Sequence, residues 1–314
     1  MLFYLAALLG LYLLYRWYWE RQTVENLTEK YVFITGCDSG FGNLLARQLD
    51  LKGMRVLAGC LTKKGAEELE KATSNHLKTT ILDVTSTESV AAATEWVKGC
   101  VGDKGLWGLV NNAGIGKPVG LNALLTKEDF AKVINVNLLG LIDVTLQMLP
   151  LVKRARGRVV NVSSVLGRIA YYGGGYSPAK FGVEAFSDSL RRELHAFGVQ
   201  VSIIEPGIFR TAIIDVQNHF KNTWEQLPPD IREIYGENFI KRYCKIAKVI
   251  VNLGSSNLSL VTNCIEHALK SCYPRSRYSA GLWAKSIFIP ASYLPSCVVD
   301  FLTSYIFPKP SQTT

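Results

Sequence analysis

A chain of 314 residues that is 48% hydrophobic and 11% aromatic can bury a sizeable core, and its length fits one large α/β domain. The formal net charge is +9, but the Lys and Arg residues are scattered, and the densest clusters, at 153–156 and 191–192, lie in or beside apolar segments. With no basic stripe interleaved with aromatics, the charge does not point to nucleic acid. The seven cysteines (Cys37, Cys60, Cys100, Cys244, Cys264, Cys272 and Cys297) are odd in number and form no CxxC pair. That argues against a disulfide framework and suits a reducing compartment. His76, His195, His219 and His267 have no metal-ligand spacing with one another or with the cysteines, so no metal is expected.

The chain opens with LFYLAALLGLYLLY, residues 2–15, followed by Arg16 and WYW. It lacks the basic n-region and small-residue cleavage site of a signal peptide. Extended to Trp19, it reaches the length a spanning helix needs, because a terminal Arg can snorkel and Trp and Tyr suit the interface. Residues 1–22 are therefore expected to be an uncleaved membrane anchor. Arg16, Arg21 and Lys30 follow the segment and no basic side chain precedes it, which places the main domain on the cytosolic face.

Beyond the anchor, short β-branched runs alternate with helix-period segments. Strands are predicted at 31–35, 55–59, 79–83, 107–112, 158–163 and 201–206, with helices near 41–52, 64–72, 87–101, 127–149 and 176–197. Strands alternating with helices of this length imply right-handed βαβ crossovers. The fold class is α/β, a doubly wound Rossmann-type parallel sheet with helices on both faces, in one catalytic domain over 30–281. The stretch 208–256 breaks the rhythm and carries Pro228-Pro229 between two helical-looking pieces. Insertions at the carboxyl ends of strands are where such folds put substrate walls. The tail, 282–314, is apolar but interrupted by Pro290 and Pro295, so a pocket flap or membrane-resting segment is expected rather than a second spanning helix.

Three stretches carry chemistry. TGCDSGFG, Thr35 to Gly42, joins the first strand to the first core helix, where small residues let the backbone approach a pyrophosphate at the positive helix N-terminus. At the end of the second strand, Cys60 and Leu61 stand where an acidic residue would select NAD or a basic one NADP. Asp38 would repel added negative charge, while Lys63 and Lys64 either reach a phosphate or form a solvated first turn. The balance favours NAD, with NADP as the alternative. Third, GGGYSPAK places Lys180 one helical turn after Tyr176, on the same face, where an ammonium favours phenolate. The same spacing recurs in YIFPK, 305–309, with no serine-bearing strand before it, and is given no role. The three glycines either clear the approach to Tyr176 or permit an unusual turn into the helix.

In this order the motifs TGCDSGFG, LDV (82–84), NNAG (111–114), NVN (135–137), NVSS (161–164), YSPAK (176–180) and PG with Thr211 resemble the short-chain dehydrogenases/reductases, over roughly 30–280. The finer texture, including the anchor, RYSAG and the apolar tail, is similar to the membrane-anchored retinol and hydroxysteroid dehydrogenase branch. The resemblance implies that Tyr176 is the catalytic acid/base, assisted by Lys180. It makes Ser164 the holder of the substrate oxygen, in preference to Ser163, and Asn137 part of a water-mediated relay to the lysine. It implies that Gly36, Ser39, Gly40, Phe41, Gly42 and Leu61 line the dinucleotide. Asp83 would meet the adenine, Asn111 would brace the sheet, Lys180 would bind the ribose and Thr211 the carboxamide. The expected activity is interconversion of a lipophilic alcohol, a retinol or a 3α/17β-hydroxysteroid, with its aldehyde or ketone at the endoplasmic reticulum membrane. The alternative is a catalytically weak member that binds cofactor or lipid. The apolar helix 127–149 and the Tyr176 helix are the expected homodimer face.

Overall fold

The computed structural model describes residues 2–171, 173–210, 224 and 229–305. Among them a seven-stranded parallel sheet runs in the order β3-β2-β1-β4-β5-β6-β7. The strands are β1 (Tyr31–Thr35), β2 (Arg55–Cys60), β3 (Leu77–Ile81), β4 (Gly108–Asn111), β5 (Arg158–Val162), β6 (Gln200–Pro206) and β7 (Arg277–Ala280). The central ones are buried on both faces, which is why they read as nearly unbroken apolar runs. Alternation along β1 divides the core. Val32 and Ile34 pack with Leu45 and Leu49 of α2 (Gly40–Leu51), Leu69 of α3 (Lys63–Lys71), and Ile265 and Leu269 of a later helix. Phe33 points the other way, towards Val90 and Val97 of α4 (Thr87–Val101) and towards Met148 and Leu190.

The predicted helix 127–149 is longer and is interrupted. It consists of α5 (Lys127–Ile134), a π turn (Asn135–Gly140) and α6 (Leu141–Ala155). A Thr126/Asp129 capping box starts it. The widened turn lies where the helix passes close to the β3–α4 loop: a Cβ on Gly140 would fall 2.6 Å from the Val84 carbonyl oxygen. The Tyr176 helix, α7, spans Tyr176–Leu194.

After β6 come α8 (Pro229–Tyr235), α9 (Glu237–Asn252) and α10 (Ser259–Lys270). The first of these begins at Pro229; the helical-looking piece expected before Pro228 falls, apart from Trp224, outside the described residues. Two elements escaped the sequence reading. One is α10, which completes the α2 face of the core. The other is β7, a four-residue edge strand whose apolar content is too brief to stand out. Strand β3 also ends two residues early, because the Asp83 carboxylate turns back to accept from the Thr85 N–H (2.9 Å) and hydroxyl (2.7 Å). As its prolines require, the tail is broken, into a π turn (Ala284–Phe288), a short helical turn (Ile289–Ala291) and α11 (Ser296–Ser304). At the other end, α1 (Leu2–Glu20) is a single helix on which Leu8, Leu11, Leu14, Tyr15 and Trp17 are exposed.

Candidate active site

The strand order reverses between β1 and β4, and a cavity of about 890 Å³ opens at the carboxyl ends of the strands there. Its polar side is built around the glycine turn. Gly36 has φ 71°, and a Cβ on it would lie 2.8 Å from the Ala113 Cα, so the turn fits against β4 only without a side chain. Gly40, at φ 64°, begins α2, and a Cβ there would meet no atom within 4 Å and would project into the cavity. Ser39, Phe41, Leu61 and Asp83 line the same space. Gly42 does not; its place is dictated by the Gly36 carbonyl oxygen, 2.3 Å from where a Cβ would be.

Polar side chains lock this turn to its neighbours. The Asp38 carboxylate accepts from the Leu61 N–H (2.8 Å), the Thr62 N–H (2.9 Å) and the Thr62 hydroxyl (2.7 Å), tying the turn to the end of β2. The Asn112 amide donates to the Thr35 (2.9 Å) and Gly36 (3.1 Å) carbonyls. Asn112 lines the cavity, and the sequence reading passed it over for Asn111. Asn111 itself is buried away from the cavity, donating to Thr145 and Asn161 (both 2.8 Å). It braces β4, as the resemblance implies, and lies behind the cavity wall rather than on it, so it is not itself a cofactor contact. Lys63 and Lys64 lie in the exposed first turn of α3 rather than on the cavity wall, and Lys64 faces Glu68.

Tyr176 and Ser164 converge from two elements. Ser164 ends the loop after β5 and caps a short 3-10 turn, accepting from the Leu166 N–H at 3.1 Å. Tyr176 is the first residue of α7, and its side chain lies beside Ser164 on the cavity wall. Ser163 points elsewhere, donating to the Lys180 carbonyl (3.3 Å). Lys180 is buried; its Nζ lies 5.7 Å from the centre of the Tyr176 ring and donates to the Val162 carbonyl at 2.7 Å. Burial lowers the lysine pKa to about 8. Burial also raises that of Tyr176, and neighbouring Ser164 offsets this only in part. The protein's own groups thus keep the phenol neutral, where the spacing alone suggested a phenol already lowered by its lysine.

Asn137 sits in the π turn, fully buried and off the cavity wall. Its Oδ1 accepts from the Ile115 N–H (2.7 Å) and its Nδ2 donates to the Ile115 carbonyl (2.8 Å). The side chain is committed to the loop after β4, so any contact with a relay water falls to its main chain. Thr211 lies outside the described residues. The three glycines of GGGYSPAK are off the cavity wall too. A Cβ on Gly173 would lie 2.4 Å from both the Asn122 Oδ1 and the Gly120 carbonyl oxygen, and one on Gly175 would lie 2.5 Å from the Phe130 carbonyl oxygen.

Across from these groups the wall is apolar. It is formed by Ala247, Ile250 and Val251 of α9 and by Trp283, Ile287 and Phe288 of the tail. Among the described residues no group of three or more His, Cys, Asp or Glu could hold a metal ion.

Residues 30–222 match the family model for short chain dehydrogenase. The chain belongs to that family. It is 59% identical to human retinol dehydrogenase 16 over 312 residues, covering 98% of each chain. It is 60% identical to 17-beta-hydroxysteroid dehydrogenase type 6 of Rattus norvegicus over 315 residues, covering 99% of each. Solved structures share the fold. A short chain dehydrogenase/reductase from Burkholderia phymatum in complex with NAD has a TM-score of 0.69 at 20% identity, covering 91% of this chain and 97% of that one. Another from Burkholderia cenocepacia in complex with NADP has a TM-score of 0.65 at 20% identity, covering 87% and 97%.

Proposed function

We propose that this short chain dehydrogenase interconverts a lipophilic secondary or allylic alcohol, of the retinol or hydroxysteroid class, with its carbonyl form. The observation that carries the reading is that Ser164, Tyr176 and Lys180 line one cavity together with an apolar wall. Both relatives named above act, by their names, on alcohols of this kind.

The polar side fits a nicotinamide dinucleotide: Gly40 opens a cradle that a Cβ would occupy, at the N-terminus of α2. Residues 36–41 would hold the pyrophosphate, Asp83 the adenine and Lys180 the nicotinamide ribose. When bound, the nicotinamide ring supplies hydride exchange with the substrate carbon. The chain's residues do the rest. Ser164 hydrogen-bonds the substrate oxygen and fixes its distance from Tyr176. Tyr176, as phenolate, takes the hydroxyl proton in oxidation, and as phenol it gives the proton back in reduction. Lys180, as ammonium, favours the phenolate from which oxidation starts. Asn137 holds the Ile115 loop against the cavity.

NAD is the better fit of the two dinucleotides. Asp38 is held against the end of β2, where a 2′-phosphate would come to lie, and its carboxylate repels a second negative charge. The exposed apolar face of α1 supports an N-terminal membrane anchor, with the catalytic domain on the cytosolic side of the endoplasmic reticulum. Leu139 and Leu146 of the 127–155 helix and Phe181 of α7 are each exposed, which supports a homodimer through these two helices.

The test is steady-state turnover of the detergent-solubilised full chain with NAD and NADP against all-trans-retinol and 3α- and 17β-hydroxysteroids. We expect turnover of at least one, faster with NAD. Cofactor binding without turnover of any lipophilic alcohol would favour a binding protein instead.

A further inference from the structure

Beside the candidate site lies an ion network that the proposed chemistry does not use. Glu205, the residue before Pro206 and Gly207 of the cavity wall, is 1% exposed. A carboxylate this deep requires partners. It accepts from Arg168 (3.0 Å), Arg277 (3.3 Å) and the Ser279 hydroxyl (3.2 Å). Arg277 continues to Glu184 and, at 2.8 Å, to Asp188, both on α7, the helix of Tyr176 and Lys180.

Arg168 closes the 3-10 turn that Ser164 caps, and its N–H donates to the Val165 carbonyl at 3.0 Å. One side of that turn is pressed against α7, where a Cβ on Gly167 would lie 2.8 Å from the Lys180 carbonyl oxygen. On the other side Arg168 reaches the tail as well as Glu205. Its guanidinium lies 5.2 Å from the centre of the Tyr293 ring. Tyr293 is 73% exposed, so no core packing holds it in place. The same loop meets the tail once more, where the Tyr171 and Phe288 rings cross edge-on at 5.5 Å. Only arginine combines a forked donor for the carboxylate with a planar cation for the ring.

We propose that Arg168 is a positioning residue that latches the C-terminal tail over the apolar end of the cavity and at the same time holds the Ser164 turn in place. One guanidinium then links closure around a large substrate to alignment of the hydroxyl that meets its oxygen. Glu205 fixes the guanidinium, and Tyr293 is the strike plate on the tail. The kinetic half of this inference rests on the proposed alcohol oxidation; the structural half does not.

The test compares Tyr293→Leu and Arg168→Met with the wild-type full chain. Hydrogen exchange over residues 282–304 is measured without substrate. Steady-state kinetics are measured on a bulky hydroxysteroid and on a short secondary alcohol. Tyr293→Leu is expected to speed exchange in the tail and to raise KM for the bulky alcohol about three- to tenfold, leaving kcat on the short alcohol unchanged. Arg168→Met is expected to do both and also to lower kcat on the short alcohol. Unchanged tail exchange in Tyr293→Leu overturns the latch, and that variant suffices if Arg168→Met does not fold. An Arg168→Met protein with a lower Tm but wild-type KM and kcat would mark the residue as merely structural and overturn the positioning role. If the wild type turns over no alcohol, the proposed function fails, while tail exchange still decides the latch.

Discussion

The polar side of the cavity is held by side chains that bond to backbone, whereas the opposite side is held by shape. Asp38, Asn112 and Asn137 each fix a loop by pairing with main-chain groups of a neighbouring element. Their positions leave little slack, since a misplaced partner leaves a polar group unsatisfied. Across the cavity, Ala247, Ile250, Val251, Trp283, Ile287 and Phe288 supply volume without direction, on α9 and a proline-broken tail. Chemistry that must recur unchanged sits on the directional side. Selection among large alcohols falls to the side that can be repacked.

Substitutions on each side sharpen that contrast. The largest effect is expected from Tyr176→Phe, which removes the proton acceptor and keeps the ring: kcat/KM falls by about a thousandfold, with dinucleotide binding by calorimetry retained. Lys180→Met is expected to lose most activity and yet gain stability at neutral pH. The lysine titrates at about 8 in the folded chain and at about 10.4 in the unfolded one. Between those values the unfolded chain holds the extra proton, so wild-type stability rises with pH across that window. Below about pH 8 the folded state carries the full cost of a buried charge. Removing that charge stabilises by about 3 kcal/mol, less about 1 kcal/mol for the lost bond to Val162. The net gain, read by urea unfolding, should be present at pH 7 and fade as the pH rises towards 10.

On the apolar side, Val251→Trp narrows the cavity, and KM for a hydroxysteroid should rise about tenfold while a short alcohol is unaffected. At the dinucleotide end, Asp38→Asn removes one charge and keeps an acceptor. Turnover with NADP should improve about tenfold relative to NAD, read from the ratio of kcat/KM values. The smallest effect on catalysis is expected from Gly173→Ala. Its Cβ collides with the Gly120–Asn122 loop, so stability drops by about 1–3 kcal/mol in thermal unfolding while KM for the bulky alcohol stays constant. A raised KM without loss of stability would return Gly173 to the substrate approach.

Much of the polar side was legible before folding, because it depends on local order: a glycine turn between a strand and a helix, or a lysine one turn after a tyrosine. Where the reading slipped, the deciding contact was remote in sequence. Asn111 ends β4 and Asn112 is the next residue, so the two side chains face opposite ways. Only the pairing of β4 with β1 and β5 shows which one meets the glycine turn. Asn137 has the right spacing for a relay, but the π turn and the Ile115 backbone decide what its amide touches. Edge strand β7 and helix α10 are too short or too ordinary in composition to announce themselves, although both complete the sheet and its core.

The amino-acid order by itself determined the doubly wound sheet, the place of the cleft and the Tyr176–Lys180 pair, since hydrophobic period and turn chemistry are local properties, while Ser164 was singled out by the family resemblance. Tertiary structure alone decided what surrounds them. It packs Gly173 and Gly174 against a loop some fifty residues earlier in the chain, and Gly175 against α5, instead of opening a path to Tyr176, as the Gly174 N–H bond to Asn122 at 2.9 Å shows. It buries Lys180 and half-buries Tyr176, so that desolvation is the largest influence on both pKa values. It also brings Arg168, Glu205, Arg277 and Tyr293 together from four separate elements. Burial and long-range pairing are properties of the closed chain, and no spacing in the sequence encodes them.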